Sequence, residues 1–134
     1  MAVPTPTITT TQIGQRGVTR FHAVWAATDN FADTVVVDMS ALTTYTNTLQ
    51  CKQLTISASP GLGVLVEYNA TTDEILGGVA LGGLWFDHDF TKDCDGLETG
   101  VPNIGAGTTG DIVVTTTSAA AADELIIIVD WFAT

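Results

Sequence analysis

Apolar and polar residues alternate through much of this chain, and the alternation is the first guide to its structure. In GVTRFHAVWAAT, residues 17–28, Phe21, Ala23 and Trp25 fall on one face and Arg20 and His22 on the other. That period of two belongs to a half-buried strand. LQCKQLTISA, 49–58, places Leu54, Ile56 and Ala58 on one face in the same way. TVVVDM and VLVEYN (64–69) read as short β-branched strands, and ILGGVALGG as a strand interrupted by glycine pairs. DIVVTTT, 111–117, and ELIIIVDWF, 124–132, are the clearest strands. The intervening SAAAAD is too short for a stable helix, so a hairpin connection is expected there.

Turn signals separate these runs. DNFAD offers Asx chemistry, SPGLG a Pro-Gly turn, and SALTTYTNT reads as an irregular crossing. Residues 91–110 carry five glycines and Pro102, which predicts a long loop. No segment sustains a 3.6-residue period. Seven or eight short strands with turns every 8–12 residues predict an all-β fold, an antiparallel sandwich or barrel. Before them, residues 1–15 hold Pro4 and Pro6 among threonines, which predicts an extended N-terminal arm instead of a packed strand. Residues 16–134 then form a single β domain, a size at which one core is expected to suffice.

Composition narrows the function classes. The net charge is −11, and Arg16, Arg20, Lys52 and Lys92 are the only cations. Four scattered cations make no basic patch, so neither nucleic acid nor an anionic membrane is an expected partner. The longest uncharged apolar stretch, residues 75–86, falls short of the roughly 18 residues of a membrane span. The N-terminus lacks the basic start and apolar core of a signal peptide. Cys51 and Cys94 are too few for a disulfide framework and are expected to be free thiols in a reducing cytoplasm.

The densest chemistry lies in FDHDFTKDCDGLE, residues 86–98. Set on a calcium-binding EF-hand loop, Asp87, Asp89, Thr91, Asp93, Asp95 and Glu98 occupy the ligand positions. Lys92 stands where that loop needs glycine, and the flanks read as strand and Gly-rich loop in place of helices. Calcium on an irregular loop, held by Asp87, Asp89, Asp93, Asp95 and Glu98, is the one metal reading to test. The alternative is a solvated acidic loop. No C-x-x-C or H-x-x-x-H spacing favours zinc, and no G-x-S-x-G or nucleophile–base pattern favours a hydrolase. An enzyme built on Asp87, His88 and Asp89 would need a cleft. Trp25, Trp85 and Trp131 lie in strand-like runs and are expected in the core. No cofactor is expected.

Three segments carry a family resemblance in combination: VVVDMSALTTYT, ISASPGLGVLVEYNATTDE and GAGTTGDIVVTTTSAAAADELIIIVDWF. The second resembles a Gly-Leu-x-Val…aromatic-x-Ala-Thr-Thr-Asp run, and the third a Thr-Gly-Asp-Ile-x-x-Thr-Thr-Thr segment, of small virion structural proteins of tailed bacteriophages. An aromatic-Asp segment and a Gly-rich loop lie between the two in that group, as WFDHDF and residues 96–110 do here. The resemblance spans residues 17–132. It implies a jelly-roll-like sandwich that decorates or cements the phage head. The implied partners are the major capsid protein and further copies of the chain, as a dimer or trimer. The implied location is the virion head surface after synthesis in the host cytoplasm. The arm residues Val3, Pro4, Thr5, Pro6, Thr7 and Ile8 are then the candidate shell or subunit contact. The rival expectation is a carbohydrate- or calcium-binding sandwich of a tail or fibre, which an exposed Trp85 beside Asp87, Asp89 and Asp93 would favour.

Overall fold

The computed structural model describes residues 3–42, 48–70, 74–80, 85–90, 101–102 and 111–134. Ten strands occur among them: β1 Thr7–Ile13, β2 Arg16–Val24, β3 Thr34–Val37, β4 Leu49–Ala58, β5 Gly63–Tyr68, β6 Glu74–Val79, β7 Trp85–Asp89, β8 Val101–Pro102, β9 Ile112–Thr117 and β10 Glu124–Ala133. The helical content is one 3-10 turn, Met39–Ala41, whose N-terminal cap is the Asp38 carboxylate accepting from the Ser40 amide. All strand pairs are antiparallel and form two sheets. The larger runs β1-β2-β10-β4-β7, with β8 also paired to β4, and the smaller runs β3-β9-β5-β6. The chain is therefore all-β, as the alternation predicts. The two strands beyond the expected eight are β1 and the two-residue β8.

Period-two patterning decides which side chains the sheets enclose. Phe21 and Ala23 of β2, Leu125, Ile127, Val129 and Trp131 of β10, and Leu54 and Ile56 of β4 all turn inward. Val64, Val66 and Tyr68 of β5 and Ile112 and Val114 of β9 join them in one buried cluster. Truncating one of these large aliphatic side chains costs about 2–5 kcal/mol through lost transfer and residual cavity. The alternation of β4 breaks once. Asp130 pairs with Gln53 but Trp131 with Cys51, so Lys52 is an inserted residue. This bulge lets Cys51 and Leu54, three apart, both face the core.

Polar groups inside the core are paired. The Trp131 indole N–H donates to Thr19 Oγ1 at 3.0 Å, and the Thr19 hydroxyl, fully buried, shares a 2.9 Å hydrogen bond with Thr10 of β1. The Cys51 amide donates to the Tyr68 hydroxyl at 2.7 Å, bridging the two sheets. Burial pushes the Cys51 thiol well above its ordinary range, and the Asp130 carboxylate adds to the rise.

Three sequence expectations need correction. Residues 7–13 do not extend freely: they pair with β2 through a continuous register from Thr7↔His22 to Ile13↔Arg16. The division expected between residues 15 and 16 thus falls inside a two-residue hairpin turn, whose Gly14 has φ +60°. Gly at the first central position is what a type II′ hairpin requires. Second, SAAAAD does not close a hairpin. β9 lies in the smaller sheet and β10 in the larger, so residues 118–123 carry the chain between them. Ser118 and Ala122 take positive φ there, and the Ala119 amide is held by the Asn30 side chain and the Ala122 amide by the Trp25 carbonyl. Third, Trp25 and Trp131 are core residues, but Trp85 is 63% exposed.

Candidate functional site

Two borders of the larger sheet hold every candidate residue that the structure describes. At the β7 border, Trp85, Asp87 and Asp89 pair with the Ser57, Thr55 and Gln53 positions of β4 on the outer face. Gln53 Nε2 and Thr55 Oγ1 donate to Asp87 Oδ1 at 3.0 and 3.3 Å. His88 alternates to the opposite face, across from buried Leu54. Its ring stands edge-on to Phe90 at 4.7 Å between centroids. Asp87 and Asp89 therefore share a face, and His88 does not join them. Asp93, Asp95 and Glu98 lie outside the described residues. Among the described residues no three His, Cys, Asp or Glu side chains gather as a metal site would need. His22, the other histidine, sits on the outer face with Nε2 3.7 Å from Glu124 Oε2.

At the opposite border, β1 has the sequence TITTTQI, with no charge, no proline and no break in register. Among the described residues no strand pairs with its other side. All of its side chains except Gln12 are exposed, Ile8 at 44% and Ile13 at 81%. Val3 and Thr5 just before it are exposed, and Pro4 and Pro6 are half-buried. The face of β1 that carries Ile8 and Thr10 overhangs the smaller sheet. A groove of about 370 Å³ opens between it and the β3 segment, lined by Val35, Val37, Ala41 and Leu42.

Charge divides the chain in the same way. Residues 1–28 contain Arg16 and Arg20 and no carboxylate, which gives +2. All 15 Asp and Glu follow, against Lys52 and Lys92, which gives −13. Both arginines are exposed on β2. The β1–β2 hairpin is thus the one cationic region of an acidic molecule. Sequence reasoning missed this region because it treated the cations as scattered. It also overlooked the hairpin signal, a Gly-Gln pair between two alternating runs.

No protein-family model, curated protein or solved structure matches this chain. Among the described residues no helix is long and apolar enough to cross a membrane.

Proposed function

We propose that this chain is a structural protein of a tailed-phage virion, a decoration or cement subunit that binds the outer surface of the head shell and stabilises it noncovalently, without catalysis. The observation that carries this reading is the β1 border. An uncharged edge strand of continuous register is a template for pairing with another chain, and proteins ordinarily blunt such edges with charge, proline or bulges. β1 has none of these. Strand addition on this edge supplies main-chain hydrogen bonds, and the groove beneath Ile8 supplies a pocket for alternate side chains. Val3, Pro4, Thr5, Pro6, Thr7 and Ile8 extend the contact, and Arg16 favours an acidic partner surface. Weak contacts repeated over a symmetric shell gain from multivalency, and binding only the expanded shell stabilises it by mass action.

The fold reading within this proposal is a jelly roll. The orders β2-β10-β4-β7 and β3-β9-β5-β6 support this reading, since two interleaved Greek keys would have such orders, with β1 as an added strand at the border. The partner is the major capsid protein, the assembly a symmetric homo-oligomer, and the place of synthesis the host cytoplasm.

One observation favours a second reading. Trp85 is exposed beside Asp87, which suits a carbohydrate-binding module of a tail or fibre. Quantitative mass spectrometry of purified particles separates the two. Hundreds of copies in a simple ratio to the shell protein support decoration. A few copies point to tail or fibre, and complete absence removes the virion role.

A further inference from the structure

The outer face of the larger sheet carries an unusual pattern for a solvent-facing surface. Val18 and Val24 of β2 and Ile128 of β10 are exposed at 43%, 51% and 36%, and Trp85 lies at the far side. Register places these residues in rows. One row runs Arg20, Ile128, Thr55, Asp87 across β2, β10, β4 and β7. The next runs His22, Ile126, Ser57, Trp85. These two rows have a cationic or imidazole end on β2, an apolar residue on β10, and an acidic or aromatic end on β7, whereas the adjacent row Val18, Asp130, Gln53, Asp89 pairs an apolar end with two carboxylates. Neither Arg16 nor Arg20 pairs with a carboxylate among the described residues.

We infer that this face docks a second copy of the chain, in a two-fold dimer in which Arg20 of each copy pairs with Asp87 of the other. The charges select the geometry. A two-fold axis parallel to the strands, midway between β10 and β4, exchanges the ends of each row. It sets Arg20 over the second copy's Asp87, Ile128 over Thr55, and His22 over Trp85. The ends of a row lie three strand spacings apart, about 14 Å, so both ion pairs form at once around the apolar centre. An axis across the strands would instead lay β2 on β2 and arginine on arginine. Such an interface is isologous, and two sheets at the usual separation of about 10 Å bury Ile126, Ile128 and Val18 between them. β1 extends beyond the overlap, so its free edge stays open on both copies. The dimer does not depend on the phage reading.

Sedimentation equilibrium over micromolar concentrations tests it with four chains: wild type, Arg20→Asp, Asp87→Arg, and the double reversal. Far-UV circular dichroism confirms that each is folded, and Arg20→Asp changes a side chain with no ion-pair partner among the described residues. The wild type is expected at twice the 14.0 kDa chain mass. Each single reversal is expected to weaken association at least ~tenfold, and the double reversal to restore it. A monomeric wild type, a trimer, or a dimer indifferent to Arg20→Asp would overturn the inference. A double reversal that stays monomeric while folded would also overturn it.

Discussion

At one border of the larger sheet lies β1, seven residues with no charge; at the other lies β7, five residues in which Asp87 and Asp89 flank His88. Among the described residues both are edge strands of the same sheet. β7 carries the guards that natural edges use, a short length and charges at alternate positions. β1 carries none, and the only arginines of the chain lie beside it on β2. On the function proposed above, a molecule that guards one edge and leaves the other bare is joined at the bare one. Asp87 and Asp89, from the segment that looks richer in chemistry along the sequence, lie on this comparison at the protected border.

The two borders are also seated differently, and this gives the largest expected effect. Behind β1, Gly17 of β2 lies against the Trp131 indole so closely that a Cβ would fall inside the ring's contact envelope. Trp131 is fully buried and bonded to Thr19, so it has no room to yield. Gly17→Ala should cost about 3 kcal/mol, read as a lower urea midpoint. Behind β7, an added methyl at Gly77 would meet the Phe86 ring in the same way. Phe86 is only half-buried and can turn, so Gly77→Ala should cost about half as much. Equal losses would show that the two borders are equally rigid.

Between the borders, Cys51 gives the core a pH signature. Its pKa is raised in the folded state relative to about 8.5 in the unfolded chain. Below that pH both states hold the proton and stability is unaffected. Above it the unfolded chain ionises first, so stability falls by about 1.4 kcal/mol per pH unit. Cys51→Ala should lower stability at neutral pH yet flatten the decline above pH ~8.5 relative to wild type. Chemical denaturation at several alkaline pH values reads the difference, and parallel slopes would contradict it.

The smallest effect on stability should accompany a change in binding. Thr9→Asp with Thr11→Asp copies the β7 guard pattern onto the outer face of β1. Both positions are exposed, so the unfolding midpoint should move by less than about 0.5 kcal/mol. Binding to purified heads that lack this chain should weaken at least ~tenfold. Unchanged binding would place the contact elsewhere.

Much of the sandwich was legible because alternation is a local signal. Phe21, Ala23 and Trp25, and Leu54, Ile56 and Ala58, lie inside as their spacing predicts. What escaped depends on distant partners. The TITTTQI segment became a strand through pairing with β2 and the Thr10–Thr19–Trp131 hydrogen-bond chain, which no local pattern encodes. Trp85 occupies a strand as expected, but its register opposite Ser57 turns it outward. The crossing at 118–123 resembles a hairpin linker until the two sheets are assigned. At the acidic segment, alternation correctly puts Asp87 and Asp89 on one face, and it equally sends His88 to the other.

The most direct test of the contrast between the borders is hydrogen exchange on this chain, free and bound to purified heads. Residues 7–13 should gain protection on binding while residues 85–89 keep their free-state rates, since the dimer proposed through the outer face would be present in both states. Protection confined to 85–89, with 7–13 unchanged, would contradict the assignment of β1 as the binding edge.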